Sequence, residues 1–378
     1  NRMITQRCWA EINLAALERN LRLIRDSLPP HVRYVSVVKA DAYGHGIHPT
    51  AARLMQSGVD LFAVANIKEA TEIREMGSGW PILILGPLLE EEDEALIEFD
   101  LIPTLSTEEE LGRLCALSQK HQKQISVHLK VDSGMGRNGI WWKDAIPLVE
   151  EIKKHSEIKL CGALTHFAQP SDLSFTEEQR TRFLSILQKT EIHQKPEFLV
   201  HADNSSSLRS FDRNAIFNAV RIGLLQFGVS PPQGSILADL PVEPVLSFHA
   251  KLAMIKNLPE GTTLSYGRQY TLERDSKIGI ISAGYGDAIP LPCGNRAFGL
   301  INGQNYPLVG RVTMDQTLID LTDAPSEIEL GQTVTLIGRQ KEKEILLTEL
   351  ATHAKTIPWE LLCSITKRVP RIYTTIRE

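Results

Sequence analysis

The chain has 378 residues, of which 42% are hydrophobic and 23% are charged, so it can bury a large core divided over roughly two or three domains. It carries 41 Lys and Arg residues against 46 Asp and Glu residues, and the net charge of -5 argues against nucleic acid or an anionic membrane surface as a partner attracted by bulk charge. No apolar run reaches the length of a membrane span and no signal-peptide pattern opens the sequence, so we expect a cytoplasmic protein.

The five cysteines are scattered and form no CxxC pair, which is typical of reduced, structural thiols in the cytoplasm. The sequence contains neither an HExxH motif nor a Cys/His cluster with the spacing of metal ligands. It therefore predicts no metal site. The cysteines are Cys8, Cys115, Cys161, Cys293 and Cys363.

Strand-like apolar runs alternate with segments whose apolar spacing is near 3.6 over about the first 230 residues. Eight such strand–helix units predict an α/β fold, the (β/α)8 or TIM barrel. A doubly wound open sheet is the alternative, because the pattern alone does not show closure. The predicted strands are Arg33–Lys39, Leu61–Ala65, Pro81–Gly86, Ile102–Ser106, Ile125–Asp132, Leu160–Phe167, Glu197–Asn204 and Ala219–Gly228. The predicted helices are Leu14–Leu28, Ile67–Met76, Glu91–Phe99, Glu108–His121 and Glu177–Lys189, with Thr107 and Thr176 as N-caps.

The helical periodicity fades beyond Pro231-Pro232, and short strand-like runs separated by turn signals such as Asn302-Gly303 replace it. This change predicts a mainly β second domain. We place a barrel domain over residues 1–240 and the β domain over residues 241–378, with residues 1–12 free to pack against the second domain. The predicted strands are Leu246–Ile255, Lys277–Ile281, Gly299–Val309, Leu318–Leu321, Thr333–Ile337 and Arg371–Ile376.

Lys39 ends the apolar run that starts at Val35, and a turn with two glycines, Gly44 and Gly46, follows it. Burying an ammonium group is costly unless the group is paired or loses its charge. Lys39 therefore either extends to the solvent or acts as an amine nucleophile at the catalytic end of a barrel strand. The segment alone favours neither interpretation.

Two predicted loops suit a phosphate group. Barrels that bind phosphorylated ligands often use the loops after strands seven and eight. Here Asn204 and three serines follow the seventh strand, and Gly223 in the eighth allows close backbone approach. Arg221 interrupts an apolar run, and a buried arginine needs an acceptor, which is either a ligand or a structural ion pair.

Lys130 lies on the polar face of its strand together with His128 and Asp132, and this face should point into the barrel. Arg137 belongs to the glycine-rich loop that follows the strand. A salt bridge with Asp132 is the structural alternative for both cations.

The sequence resembles the alanine racemase family, whose members use pyridoxal phosphate (PLP) on a barrel, and the resemblance runs nearly end to end. Each short motif is weak alone, but their shared order is specific. The matching segments are Val38–Gly46, Val131–Gly139, Thr165–Phe167, Asn204–Ser205, Arg221–Gly223, Leu264–Gly267, Gly284–Asp287 and Gly310–Gln316.

The resemblance implies that Lys39 carries PLP as a Schiff base and acts as one of two bases in the racemisation of L-alanine and D-alanine. Arg221 would donate to the pyridine nitrogen and leave it unprotonated, which weakens the electron sink and suppresses transamination. Lys130 corresponds to a lysine that is carbamylated in some relatives, a change that would let it pair with Arg137. The other residues implied at the cofactor are Tyr43, His166, Asn204, Ser205, Ile222, Gly223 and Trp359.

Tyr266 is the second base by resemblance and, with Met314, comes from the partner subunit, so a homodimer with shared sites is implied. Arg137, Met314 and Tyr285 would lie at the substrate, with Tyr285 near the entrance. The product D-alanine would supply peptidoglycan synthesis. Without the resemblance, Tyr266 and Tyr285 would be interpreted as packing aromatics beside glycine in a β domain.

Two positions depart from the family pattern. Trp359 stands where the family usually has a tyrosine whose hydroxyl reaches the phosphate and narrows the pocket. Indole offers one N–H donor and more bulk, so the phosphate contact and the substrate size preference both stay open. Thr313 stands where relatives often have cysteine, and its backbone N–H can still bind a carboxylate.

Four alternatives to an alanine-specific racemase remain at this point. The first two are a serine-preferring racemase, which the departure at Trp359 keeps open, and a PLP decarboxylase on the same barrel. A non-catalytic PLP carrier is the third, and the presence of Tyr266 and Met314 counts against it because such carriers resemble the barrel without the β domain. A barrel hydrolase without PLP is the fourth.

Overall fold

The computed structural model describes residues 6–204, 216–230, 239–325 and 328–375. The strands are β1 (Cys8–Asn13), β2 (Arg33–Val37), β3 (Leu61–Val64), β4 (Ile82–Ile84), β5 (Ile102–Leu105), β6 (Ile125–Asp132), β7 (Ile140–Trp141), β8 (Ile158–Leu164), β9 (Leu199–Asn204), β10 (Ala219–Ile222), β11 (Leu246–Leu258), β12 (Thr263–Leu264), β13 (Tyr270–Thr271), β14 (Ser276–Ile281), β15 (Phe298–Ile301), β16 (Gln304–Val309), β17 (Thr317–Asp320), β18 (Thr333–Gln340), β19 (Lys343–Ile345) and β20 (Arg371–Thr374). The helices are α1 (Leu14–Asp26), α2 (Lys39–Tyr43), α3 (Ile47–Gln56), α4 (Ile67–Met76), α5 (Asp93–Glu98), α6 (Glu108–His121), α7 (Ala145–Ile152), α8 (Leu173–Thr190), α9 (Leu347–His353) and α10 (Pro358–Cys363). In these described ranges, no helix combines the length and the apolar character that a membrane crossing requires.

Eight parallel strands close into a barrel in the order β2, β3, β4, β5, β6, β8, β9 and β10. The ring is completed by the pairing of β10 with β2, and β5 pairs with β6 within it. The TIM-barrel prediction is confirmed. The open-sheet alternative is wrong, because the two edges that an open sheet would leave unpaired are hydrogen-bonded.

The helix N-caps show where local sequence signals succeed and fail. Thr107 caps α6 as predicted: its hydroxyl accepts from the N–H of Glu110 at 3.1 Å, and the Glu110 carboxylate accepts from the N–H of Thr107 at 3.2 Å. Thr176 is not the cap of α8. Asp172 caps that helix one turn earlier by accepting from the N–H of Phe175 at 3.0 Å, because an aspartate is at least as good a cap as a threonine.

Several predicted barrel strands extend too far at their carboxyl ends. β2 ends at Val37, before Lys39, and β10 ends at Ile222, before the 3-10 turn Leu224–Phe227. The apolar pattern continues into these turns because they are packed at the rim of the barrel, but the ladder of backbone hydrogen bonds stops earlier. Lys39 therefore lies just after the strand.

The second sheet has nine strands in the order β19, β18, β15, β16, β17, β14, β11, β1 and β20. This confirms the mainly β second region, although α9 and α10 were not predicted. β1 pairs antiparallel with β11 and parallel with β20, so the first strand of the chain belongs to this sheet. One hydrophobic core contains Leu17 of the barrel helices, Phe248 of the sheet and Leu361 of α10. The domain boundary at residues 240 and 241 stays a prediction.

Candidate active site

The chain leaves β2 through a left-handed turn that begins at Lys39. Ala40, Asp41, Ala42 and Tyr43 have φ angles of 52°, 55°, 54° and 53°. A non-glycine residue in this region costs about 1–2 kcal/mol. Such strain persists only where the surroundings hold it, and it concentrates at functional sites. The carboxyl end of a barrel strand, where Lys39 lies, is also where barrel active sites are found.

Glu69 of α4 holds the beginning of this turn. Its Oε1 accepts a hydrogen bond from the N–H of Ala40 at 2.9 Å, and its Oε2 accepts from the N–H of Ala65 at 2.7 Å. One carboxylate thereby joins the residue after Lys39 to the end of β3. Sequence reasoning missed Glu69. Its carboxylate oxygens bind backbone N–H groups, and no sequence motif marks a carboxylate with that role.

The second sheet holds the end of the same turn. The Tyr373 hydroxyl donates to the carbonyl of His45 at 2.9 Å, and Arg371 Nε donates to the carbonyl of Gly44 at 3.1 Å. Both side chains come from β20. The position of Lys39 therefore depends on contacts between the barrel and the β region.

Positive charge is concentrated at this end of the barrel. Burial lowers the pKa of Lys39, and the Arg137 and Arg221 guanidinium groups lower it further, against the opposing effect of Glu69. Lys130 is only 5% exposed. Burial, followed by Arg221 and Arg137, lowers the pKa of Lys130 well below its usual range. Both lysines are thus shifted towards the neutral amine.

Arg221 is 3% exposed and is surrounded by acceptors that carry no charge. Its NH2 group donates to the carbonyls of Thr165 at 2.8 Å and Ala202 at 3.0 Å, and to Nδ1 of His166 at 3.2 Å. Its NH1 group donates to Nδ1 of His201 at 2.9 Å. Burial lowers the pKa of Arg221 to about 10, so the guanidinium remains protonated at neutral pH.

Two further histidines extend this network across the barrel interior. Because a guanidinium only donates, His201 must accept at Nδ1 and carry its proton on Nε2, which lies 2.9 Å from Nδ1 of His128. Burial, with the charge of Arg221, lowers the pKa of His128 to about 3 and that of His166 to about 2. The imidazoles around Arg221 are therefore neutral. Sequence reasoning placed His128 on the inner face but missed His201, which the period-two pattern of β9 could have indicated.

Tyr43 and Gly223 meet at the rim of the barrel. A Cβ on Gly223 would lie 2.5 Å from the Tyr43 hydroxyl oxygen, so only glycine allows this approach. Ile222 precedes this glycine, and Asn204 at the end of β9 pairs in register with Arg221. Ser205, the other predicted phosphate ligand, lies outside the described residues.

A cavity of about 680 Å³ opens beside Lys39 and is bounded by Arg137 and the loop residues Asn138 and Gly139. The predicted alternative, a salt bridge from Asp132, is not what shapes this loop. Asp132 Oδ1 accepts from the N–H groups of Gly134 and Gly136 at 3.0 and 3.1 Å. Among the residues that the structure describes, those that line the cavity lie from Lys39 to Gly139 in the sequence.

The predicted second base lies on the β region and faces the solvent. Tyr266 is 70% exposed, in a turn that the Ser265 hydroxyl fastens by donating to the carbonyl of Arg311 at 2.6 Å. Met314 and Tyr285 are also exposed, and backbone hydrogen bonds join their two loops. We call Tyr266, Tyr285 and Met314 the exposed trio. Its members lie outside the set of residues that lines the cavity beside Lys39.

The family assignment follows from the comparisons with known proteins. The alanine racemase N-terminal domain model matches residues 12–231, and the C-terminal domain model matches residues 245–373. The chain belongs to the alanine racemase family. It is therefore an amino-acid isomerase by class.

Individual alanine racemases match over nearly their whole length. The chain is 38% identical to the alanine racemase of Halothermothrix orenii over 375 residues, which covers 99% of this chain and 98% of the relative. The structure of the Clostridium difficile alanine racemase superposes with a TM-score of 0.90 at 31% identity, covering 98% of this chain and 97% of that one. The Bartonella henselae alanine racemase, solved with covalently bound pyridoxal phosphate, superposes with a TM-score of 0.87 at 28% identity, covering 98% and 100% of the two chains.

The position at which this chain departs from the alanine racemase pattern lies at the first turn of α10. Trp359 is exposed there, and Pro358 occupies the first helical position. α10 packs against α2, which begins at Lys39, and the carbonyl of Leu362 lies against Gly44. Trp359 is thus on an element that touches the Lys39 turn.

The alanine racemase family depends on PLP, and the residues present here fit such a group. Burial and the Arg137 and Arg221 guanidinium groups lower the pKa values of Lys39 and Lys130 despite the opposing carboxylates Glu69 and Asp132, so the site favours added negative charge. A phosphate ester supplies that charge. The Tyr43 hydroxyl and the Gly223 backbone, which lie together at the rim, would hold that phosphate.

Proposed function

We propose that this protein interconverts L-alanine and D-alanine with PLP bound at Lys39, and that Tyr266 of the partner subunit is the second base. The observation that carries the proposal is the meeting of Lys39, Arg221 and the Tyr43–Gly223 pair at one end of the barrel, with the pKa of Lys39 lowered by burial. The names of the relatives support alanine as the substrate.

Lys39 is suited to remove or return a proton at Cα. Its lowered pKa raises the fraction of neutral amine at neutral pH, and a neutral amine is both a nucleophile and a base. The strained turn that follows and the Glu69 carboxylate hold its backbone in one place. The amine can then stay close to one face of the substrate.

Arg221 determines how strongly charge is drawn from the substrate. Bound PLP would supply an electron sink for the charge that develops at Cα. With a pKa of about 10, Arg221 keeps its own protons and can donate only a hydrogen bond to the ring nitrogen. Its neutral imidazole and carbonyl neighbours do not release a proton to that nitrogen either. We infer a weak sink, which favours rapid return of the proton over transamination.

The second face of the substrate needs a second acid or base, and the exposed trio supplies Tyr266. In one chain Tyr266 is exposed, and the described residues that line the cavity beside Lys39 belong to the barrel. A homodimer that places the exposed trio of each subunit over the cavity of the other would complete both sites. Met314 and Tyr285 would then border the substrate together with Arg137.

Lys130 is the residue that we propose to be carbamylated. Burial, followed by Arg221 and Arg137, lowers the pKa of Lys130 well below its usual range, which favours the neutral amine that reacts with carbon dioxide. The amine adds to carbon dioxide and releases one proton, which leaves an anionic carbamate. The carbamate would pair with Arg137 and reduce the excess of positive charge. We also propose that the D-alanine made here supplies peptidoglycan synthesis.

Replacement of the anchoring lysine tests the proposed function. In Lys39→Ala we expect the visible absorbance of bound PLP to disappear and the racemisation of L-alanine to fall by about 1,000-fold or more. Lys68→Ala, which removes an exposed lysine of α4, is the matched control and should keep both properties. Racemisation that survives in Lys39→Ala, or a wild-type protein that binds no PLP, would contradict the proposal. Assays with L-serine alongside L-alanine separate the serine-preferring alternative.

A further inference from the structure

Three metal-ligating side chains from different parts of the sequence meet at the amino-terminal end of the barrel. They are Cys115 on α6 and His155 and Glu157 in the loop between α7 and β8. The thiol sulfur, a ring nitrogen and a carboxylate oxygen all lie within 4.8 Å of one another. The proposed racemisation uses none of them. Lys39 lies at the carboxyl end of the barrel strands, whereas the loop with His155 and Glu157 precedes β8 at the opposite end.

The loop that carries two of these side chains is held by its backbone. The carbonyl of Glu157 accepts from the N–H of Ile125 at 3.0 Å and from the Ser118 hydroxyl at 3.3 Å. The carbonyl of Ser156 accepts from Gln124 Nε2 at 2.8 Å. These bonds fasten the loop to α6 and to the start of β6. The backbone positions of all three residues are therefore fixed relative to one another by α6 and by the bonds that hold the loop against it.

The side chains are also oriented towards one another. Gln119 Nε2 donates to Oε1 of Glu157 at 2.6 Å, which leaves Oε2 at 3.9 Å from Nδ1 of His155. Nε2 of His155 lies 3.5 Å from Oε1 of Glu151. A carboxylate oxygen therefore lies near each ring nitrogen of His155. A histidine oriented by a carboxylate on its far nitrogen is the usual arrangement of an imidazole that binds a metal.

We propose that Cys115, His155 and Glu157 bind one divalent transition-metal ion of the zinc class. A thiolate and an imidazole select zinc-like ions over magnesium or calcium, which prefer oxygen ligands. Three protein ligands leave a fourth position for water. Binding releases the thiol proton of Cys115 to the solvent, because the thiolate is the ligand. The ion would join α6 to the loop before β8 and would stabilise the barrel without entering the chemistry at Lys39.

Sequence reasoning predicts no metal here because Cys115 is far from the other two ligands along the chain. Cys115 is buried and faces Glu157, a carboxylate that does not favour a neighbouring thiolate. A divalent cation between them turns this arrangement into an attractive one. The burial of Cys115 also protects the site from larger ligands.

Zinc content is the direct test. PLP-loaded protein without an affinity tag is treated with EDTA, exchanged into metal-free buffer, given zinc chloride, and freed of unbound zinc before elemental analysis. We expect one zinc per chain, and a melting temperature about 3 °C higher when free zinc is 100 times the dissociation constant. Cys115→Ser and Glu157→Gln should weaken zinc binding at least tenfold.

Two controls separate loss of the metal from loss of the fold. Cys161→Ser removes another partly buried thiol, on β8, outside the cluster, and should keep both the zinc and the thermal shift. Glu157→Gln keeps an acceptor for Gln119, so it should melt at the wild-type temperature in EDTA and fail to rise with zinc. Equal zinc binding by wild type and Cys115→Ser, or no stoichiometric zinc in the wild type, would overturn the proposal. Unchanged racemisation in EDTA is expected, because the ion lies outside the active site.

Discussion

The rim of the barrel and the loops of the β region carry the two proposed bases in opposite surroundings. Lys39 is half-buried among cations and its pKa is set within one chain, by burial, Arg137 and Arg221. Tyr266 is 70% exposed on a turn that the Ser265 hydroxyl joins to Arg311. In the proposed mechanism one base is therefore tuned by folding, whereas the other would acquire its chemical surroundings when a partner subunit covers it. The difference teaches that the proposed site would be complete only in the dimer.

The largest expected effect comes from removing the hydroxyl of the exposed base. Tyr266→Phe keeps the ring and loses only the proton carrier, so racemisation of L-alanine should fall by about 10²–10⁴-fold while PLP stays bound. Polarimetric or coupled kinetics and the absorbance of bound PLP measure the two properties.

The matched control for this change is Tyr270→Phe, a tyrosine of the same region that packs in the small cluster with Leu264. It should retain most of its activity. Unchanged racemisation in Tyr266→Phe would remove the two-base account altogether.

A smaller effect is expected from weakening the hydrogen bonds by which Glu69 holds the Lys39 turn. In Glu69→Gln the side chain keeps one acceptor but turns an NH2 group towards a second backbone N–H, at Ala40 or Ala65. The Lys39 turn should shift, and kcat should fall by about 10–100-fold. Loss of the Glu69 charge should also lower the pKa of Lys39 further, so the limb of the pH–rate profile that reports Lys39 should move to lower pH.

Glu75→Gln on the exposed side of α4 is the control and should leave both the rate and the pH profile unchanged. A fall in rate for Glu69→Gln without any movement of the pH profile would show that Glu69 acts on structure alone, and would refute its effect on Lys39.

The smallest effect is expected from a change at Trp359, on the helix α10 that packs against α2. Trp359→Tyr replaces bulk by a hydroxyl that can reach a phosphate, so PLP should bind several-fold more tightly, and kcat/KM for L-serine relative to L-alanine should change by roughly tenfold or less. Equilibrium dialysis and kinetics with the two substrates measure these changes. Ile357→Val, at an exposed residue just before α10, is the control. If neither quantity differs from the control, Trp359 is not part of the pocket.

Local patterns favoured the barrel over an open sheet and placed Lys39 close to the carboxyl end of the first barrel strand, which ends at Val37. Alternating strand and helix periods predict the (β/α)8 fold, and the capping box at Thr107 is contained in four residues. The strained turn after Lys39 could not be predicted, because nothing in Ala40 or Ala42 favours positive φ. That conformation is imposed by distant residues, Glu69 and Tyr373, whose proximity only the closed fold creates.

The same reason explains the other features that the sequence did not reveal. The pairing of His128 with His201 depends on strands that meet across the barrel interior. β1 joins the second sheet although it begins the chain, because its partners are β11 and β20. The resemblance supplied Tyr266 as a base, since its exposed position in one chain would indicate only a surface aromatic.

A mixture of two inactive variants tests the central claim, that each site takes Lys39 from one subunit and Tyr266 from the other. Differently tagged Lys39→Ala and Tyr266→Phe chains are unfolded, mixed, refolded with PLP, and the doubly tagged heterodimer is purified. One of its two sites then contains both substitutions and the other contains neither. The account predicts that racemisation returns to about half of the wild-type rate per dimer. A purified heterodimer as inactive as its two parents would contradict it.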